Sequence, residues 1–154
     1  MAEHAAGLWA RTPTLWIAYA GGLDASLRER VMVAVSRANS CSGCTAVHER
    51  WALRSGVTDE ELEAIGLDDL ARLDERSRAA VVYATALAEA RFRRPPDPEL
   101  LALVRPHLSR YELRAVEAVA RLIAFANLSA NTMRSRTTPA ARRPGGRRNI
   151  ARAA

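Results

Sequence analysis

The sequence of 154 residues is poor in cysteine and contains no lysine. Its two cysteines, Cys41 and Cys44, are too few and too close together to build the disulfide framework of a small secreted domain, and they indicate redox or metal chemistry in a reducing compartment. No apolar run reaches the roughly 20 residues of a membrane-spanning helix, and residues 1–11 contain no basic, apolar signal segment. We therefore expect a cytoplasmic protein without membrane contact.

Positive charge is concentrated at one end of the chain. All 23 basic residues are arginine, and residues 134–154 contain seven of them and no acid. Residues 1–133 are nearly neutral and apolar enough for a core, so we expect one helical domain there and a disordered arginine-rich tail at 134–154. The tail could bind nucleic-acid phosphates without sequence preference. The rest of the chain has no recognition-helix signature, so nucleic-acid binding is the weaker interpretation.

Helix start and stop signals divide the chain into a series of helices, and no segment shows the apolar alternation of a strand. The pattern therefore predicts an all-α fold. The helix that contains Glu29 should open at Asp24 or Ser26 and end at Asn39-Ser40. Five later helices are expected. Their approximate starts and ends are Ser40 or Ser42 to Arg54, Thr58 to Gly66, Asp74 or Ser77 to Ala90, Asp97 to Pro106, and Ser109 to Met133.

The apolar pattern predicts both a core and an association surface. Residues 27–38 are apolar around almost the whole helix, which is typical of a central buried helix. The last helix has two apolar faces, so we expect one of them to contact another subunit. Trp9 and Trp16 are expected core anchors beside a short helix at residues 15–20. Asn127 and Asn131 interrupt the apolar last helix and should form interhelical hydrogen bonds rather than take part in catalysis.

The chemistry-bearing residues are concentrated in the second of the main helices. In a helix that begins near Ser42, the side chains of Cys44, Val47, His48 and Trp51 share one face, and the thiol and imidazole are one turn apart. The cysteines lie at the helix start, where unpaired N–H groups and the helix dipole favour thiolate over thiol. A thiol and a base in this arrangement are typical of an activated nucleophile.

Glu29 is the expected partner of this pair. No cation occurs three or four positions from it in the preceding helix, so an ion pair along the helix does not explain the carboxylate. A partly buried carboxylate directed across to another helix is plausible, although a purely structural glutamate is the simpler alternative.

Together, Glu29, Cys41-x-x-Cys44, His48 and the acidic capping box after Gly56 resemble the alkylhydroperoxidase AhpD-like branch of the carboxymuconolactone decarboxylase superfamily. The resemblance extends over about residues 20–130. It implies an all-helical bundle subunit that assembles as a homotrimer or hexamer and works as a thiol-dependent peroxidase, an oxidoreductase with an antioxidant role.

The resemblance also implies a role for each site residue. Glu29 and His48 form a proton relay, Cys44 attacks the hydroperoxide, and Cys41 forms a redox-active disulfide with it. No other cofactor and no metal is implied. A dithiol or lipoyl-type donor reduces the disulfide, and we expect it to attack Cys41, the sulfur nearer the helix start. The best-characterised members carry a second histidine where this chain has Gly43, which affects deprotonation of Cys41 and transfer from the lipoyl donor.

Other functions fit parts of the pattern. A C-x-x-C disulfide oxidoreductase uses the same thiols without peroxide, and a carboxymuconolactone decarboxylase-like enzyme does not depend on a cysteine pair. Cys41, Cys44 and His48 also offer three metal ligands, but a closed zinc site requires a fourth. A structural helical oligomer with unreactive cysteines is the non-enzymatic alternative.

Overall fold

The computed structural model describes residues 22–137, together with the isolated positions Pro13 and Trp16. Six α-helices and one short 3₁₀ helix account for the regular structure of residues 25–137, and none of the described residues forms a strand. The all-α prediction is therefore confirmed for the described part of the chain. The helices are α1 (Ala25–Ala38), α2 (Ser42–Arg54), α3 (Asp59–Leu67), the 3₁₀ turn (Leu70–Arg72), α4 (Glu75–Glu89), α5 (Pro98–Val104) and α6 (Arg110–Thr137).

Helix α1 lies at the centre of the bundle, as its apolar circumference predicts, and packs against α2, α4 and α6. One side of α1 contributes to a large core shared with α4 and α6, in which Leu27, Val31 and Val116 are fully buried. The other side forms a second, smaller core with α2, α3 and α4 around Val33 and Ala52. Because α1 is enclosed on both sides, a polar group on it is held in a fixed, largely dry position.

Most of the predicted helix ends are confirmed. Asp24 caps α1 by accepting a hydrogen bond from the Leu27 amide, and Gly56, with φ 87°, follows the end of α2. The capping boxes that open α3 and α6 form as predicted, at Thr58 with Glu61 and at Ser109 with Glu112. These local signals are reliable because each satisfies backbone groups that a helix terminus leaves unpaired.

Three helix ends differ from the prediction. The N-cap of α2 is Cys41 rather than Ser40 or Ser42. Helix α3 continues through Gly66 to Leu67, and Asp68 takes the left-handed conformation that ends it. Gly66 is instead a point of close approach, because an added Cβ would lie 1.9 Å from a guanidinium nitrogen of Arg37. Helix α6 extends to Thr137, beyond the expected boundary at Met133.

The side chains that broaden the apolar face of α6 are partly covered within the chain. Val119 is buried, Leu122 packs at the edge of the core shared with α1 and α4, and Phe125 is half-buried. The expectation that one face of α6 contacts another subunit stays a prediction. The expected helix at 15–20 and Trp9 lie outside the described residues, as do residues 138–154 of the tail. Trp16 is 74% exposed and is not a core anchor in the described part.

Buried polar contacts join the helices at specific points. Arg30 of α1 forms an ion pair with Glu61 of α3 at 2.7 Å, and both side chains are largely buried. Asn127 of α6 accepts a hydrogen bond from the Ser36 hydroxyl at 3.3 Å and lies 3.4 Å from the Val35 carbonyl oxygen, to which it donates. Such contacts fix the relative position of the helices, since a shift would leave buried polar groups unpaired. Within residues 22–137 no helix is both long and apolar enough to cross a membrane.

Candidate functional site

A sharp turn between α1 and α2 sets the position of the first cysteine. Ser40 takes the left-handed conformation, with φ 54°, directly after α1 ends. The amide of Cys41 then donates to the Ser36 carbonyl at 2.9 Å, so the first cysteine is tied to the last turn of α1. Asn131 of α6 donates to the Asn39 carbonyl at 3.0 Å and holds the same turn from the other side. The start of α2 is therefore anchored to both neighbouring helices.

Cys41 and Cys44 are joined in a disulfide, with their Cα atoms 5.3 Å apart. Cys41 is the N-cap of α2, and Cys44 lies in the first turn. Cys41 is only 2% exposed, whereas Cys44 is half-buried. The expectation that Cys41 is the more exposed sulfur is therefore wrong. Its place at the helix start suggested exposure, but the turn after α1 and the packing of α6 enclose it.

The structure brings Glu29 and His48 into direct contact. The Nδ1 atom of His48 lies 2.9 Å from Oε2 of Glu29, and the carboxylate is buried while the imidazole is partly open to solvent. An Nδ1–H donated to the carboxylate leaves Nε2 as the basic nitrogen of the ring. Because His48 follows Cys44 by one turn of α2, the base and the more accessible sulfur share one helix face.

Glu29 also has a cationic neighbour that helical spacing did not reveal. The Nε atom of Arg28, the adjacent residue in α1, lies 3.9 Å from Oε1 of Glu29. One oxygen of the carboxylate thus contacts the imidazole of His48, and its other oxygen lies near the guanidinium of Arg28.

The remaining residues of the α2 face are open to solvent in the single chain. Val47 is exposed and Trp51 is 55% exposed, with the guanidinium of Arg54 6.0 Å from the centre of its ring. Trp51 is therefore not a packing residue of this subunit. The half-buried Cys44 opens onto an apolar surface.

The sequence patterns missed one residue at the site. Arg134 of α6, which falls in the expected tail, donates from one guanidinium nitrogen to the Ser42 hydroxyl at 2.9 Å. Its position depends on α6 crossing the start of α2, a contact between residues 92 positions apart, for which the sequence contains no local signal. Asn127 and Asn131, by contrast, form the interhelical hydrogen bonds expected of them.

A metal centre is the alternative use of the cysteines and His48. Within residues 22–137 no group of three or more His, Cys, Asp or Glu side chains is arranged to hold a metal ion. The two sulfurs are bonded to each other and the imidazole contacts a carboxylate. This donor set suits thiol chemistry better than a closed zinc site.

The described residues contain a candidate thiol-redox site in an all-α domain. It consists of a disulfide, an imidazole one helical turn away and a buried carboxylate on the preceding helix. The family model of the carboxymuconolactone decarboxylase family matches residues 5–89, more than half of the chain, and the chain belongs to that family. The match contains Glu29, the cysteine pair and His48, while α5 and α6 lie outside it. The resemblance inferred from the motif is thus confirmed at the level of the family. No curated protein matches the chain.

Proposed function

We propose that this protein is a thiol-dependent peroxidase of the AhpD-like type, in which Cys44 reacts with a hydroperoxide and Cys41 completes a disulfide. The observation that carries the proposal is the contact between Glu29 and His48, one helical turn from the half-buried Cys44. A cysteine pair alone has many structural roles. A buried carboxylate held against an imidazole beside that pair is an arrangement for moving a proton.

The first step is deprotonation of Cys44 in the reduced protein. A free thiol has a pKa of about 8.5, so only a small part is nucleophilic near neutral pH. Glu29 holds the Nδ1–H of His48, and Nε2 takes the proton from the thiol, directly or through a water. The N-terminal position of Cys44 in α2 further favours the anion.

The second step is oxidation of the thiolate. The Cys44 thiolate attacks the terminal oxygen of ROOH, the O–O bond breaks, and the proton held by His48 neutralises the departing alkoxide as ROH. Cys44 is now a sulfenic acid. The thiol of Cys41 attacks its sulfur, the S–O bond breaks, and water leaves with the thiol proton. The product is the disulfide seen in the structure.

The third step is reduction of the disulfide by an external dithiol, such as a lipoyl-type donor. Because Cys41 is enclosed, the donor thiolate attacks Cys44, and Cys41 leaves as a thiolate at the N-cap of α2. The second donor thiol then attacks the mixed disulfide and releases Cys44. We propose this direction in place of the attack on Cys41 that sequence position suggested. A cytoplasmic location suits a disulfide that must be reduced in every cycle.

We further propose that the active form is a homotrimer or hexamer. Among the described residues, the exposed Val47 and Trp51 of α2 offer an apolar surface for it beside the cysteine pair. Light scattering on the purified protein measures the mass directly. A monomer at micromolar concentration contradicts this part of the proposal without affecting the thiol chemistry.

The reaction is tested by mixing reduced protein with cumene hydroperoxide and following free thiols and intact mass. The wild type should lose both thiols and about 2 Da. Cys41→Ser should stop at a sulfenic acid about 16 Da heavier, trapped by a dimedone reagent, and Cys44→Ser should react far more slowly. Retention of both thiols in the wild type, or equal oxidation of Cys44→Ser, contradicts the peroxidase proposal.

The second candidate is a disulfide oxidoreductase that never meets peroxide. The exposed apolar side chains of Val47 and Trp51 on the face of Cys44 favour it, because they offer a docking surface for a thiol-bearing partner. In this case the reduced protein transfers electrons to a small disulfide, such as an aromatic disulfide reporter, and leaves hydroperoxide unchanged. A decarboxylase-like activity, in contrast, should survive replacement of both cysteines.

A further inference from the structure

The guanidinium of Arg134 lies across the first turn of α2, against the two residues between the cysteines. One nitrogen donates to the Ser42 hydroxyl at 2.9 Å. Another nitrogen lies 3.1 Å from the place where a Cβ on Gly43 would be. Gly43 therefore leaves room for this approach, because a Cβ at position 43 would require the guanidinium of Arg134 to shift by a few tenths of an ångström.

This is an unusual place for a cation. The start of a helix carries the positive end of its dipole and unpaired N–H groups, so an anion is favoured there and a cation is repelled. The first turn of α2 contains no acidic residue, and its N-cap side chain accepts no capping hydrogen bond. The groups in this turn that can become anionic are the thiols of the reduced cysteines.

We infer that Arg134 is a positioning residue for the thiol chemistry, and that its charge, with the start of α2, stabilises the thiolate at Cys44. This inference rests on the proposed function, which requires that thiolate. In this scheme Arg134 contacts neither the peroxide nor the electron donor. It acts only by stabilising the negative charge on the Cys44 sulfur.

The test is a thiol titration in the Cys41→Ser background, where Cys44 is the only thiol of the chain. Absorbance near 240 nm against pH gives the thiolate fraction and needs no peroxide. Arg134→Gln should lower that fraction about two- to four-fold at a pH below the midpoint in low salt, the size of effect expected when one nearby charge that solvent screens is removed. Arg134→Lys should restore part of it, and 1 M salt should remove most of the difference.

Arg50→Gln is the matched control, because Arg50 is also an exposed arginine of the same region but donates to the Ala46 carbonyl on α2 itself. It should leave the titration unchanged. Ser42→Ala, which removes only the hydrogen-bond acceptor, should produce a smaller shift in the direction of Arg134→Gln. Far-ultraviolet circular dichroism verifies that each variant is folded.

An unchanged titration in Arg134→Gln, or an equal change in Arg50→Gln, overturns the inference. The peroxidase proposal is tested by a different measurement. If it is wrong, hydroperoxide does not oxidise the wild-type thiols, whatever the titration shows. A salt-sensitive shift specific to Arg134 supports the inference in either case.

Discussion

The imidazole Nδ1 of His48 lies 2.9 Å from Oε2 of Glu29, although the two residues are 19 positions apart and belong to different helices. The contact depends on the close packing of α2 against α1, which places a buried carboxylate beside a partly open imidazole. A salt-bridged or hydrogen-bonded carboxylate fixes both the tautomer and the orientation of the ring. This pair is the feature that distinguishes the site from an ordinary buried disulfide.

Replacing Glu29 by Gln should therefore slow thiol oxidation while leaving the fold intact. The amide keeps the size and a hydrogen-bonding oxygen but removes the carboxylate that orients His48 in the proposed relay, and we expect a rate about 10- to 100-fold lower. Stopped-flow mixing of reduced protein with hydroperoxide measures this rate. Glu49→Gln is the control, since Glu49 follows His48 in α2 but pairs with Arg37. A similar loss in both variants would exclude a specific role for Glu29.

The burial of the two sulfurs predicts the order in which they react after reduction. Cys41 is 2% exposed and Cys44 is half-buried, so a bulky alkylating reagent should modify Cys44 first. Peptide mass spectrometry after brief exposure to such a reagent locates the label. Faster modification of Cys41 would contradict attack of the donor on Cys44 and restore the opposite direction.

Asp24 should make stability depend on acid. Burial raises the pKa of Asp24, but hydrogen bonds from Ser26, Arg76 and the Leu27 amide outweigh it and lower the pKa from 3.8 to about 2. A carboxyl with a depressed pKa contributes stability that is complete above the unfolded value and is lost as the pH falls through the folded value. The contribution should therefore disappear between about pH 4 and pH 2.

The corresponding variant is Asp24→Ala, which removes the N-cap of α1. We expect a loss of about 1 kcal/mol at pH 7, mostly from the cap, because the side chain of Asp24 is 46% exposed and its ion pair with Arg76 is screened. Urea unfolding at pH 7 and pH 2.5 measures the difference from wild type. Asp24→Asn, which keeps a capping oxygen but does not titrate, is the control. A difference that is equal at both pH values would contradict this account.

Gly66 and Arg37 should show coupled effects on stability. Alanine is favoured over glycine inside a helix by about 1 kcal/mol, but a Cβ at position 66 would displace the guanidinium of Arg37. Gly66→Ala should therefore raise the free energy of unfolding by less than this amount when Arg37 is present. In an Arg37→Ala background the same substitution should raise it by the full amount. Urea unfolding of the four proteins of the double-mutant cycle measures the coupling. Equal gains in both backgrounds would show that the contact has no energetic weight.

Local signals in the sequence predicted most of the fold of the described residues. Capping residues, such as Thr58 with Glu61, and the apolar circumference of α1 defined helices and a central element without any knowledge of packing. These predictions succeed because a capping side chain satisfies backbone groups within three or four residues of itself. The helix end predicted at Gly66 was wrong, because α3 continues to Leu67 and Gly66 lies where the guanidinium of Arg37 from α1 comes close.

The sequence by itself determined which residues could do chemistry here: two thiols in one turn of a helix, an imidazole one turn later, and a carboxylate with no cation three or four positions away on its own helix. Only the tertiary structure decided that Glu29 meets His48, that Cys41 is the enclosed sulfur and Cys44 the accessible one, and that Arg134 lies over Gly43. The physical reason is range. Helical spacing fixes neighbours within one or two turns, whereas burial and contact between helices depend on how α1, α2 and α6 pack together.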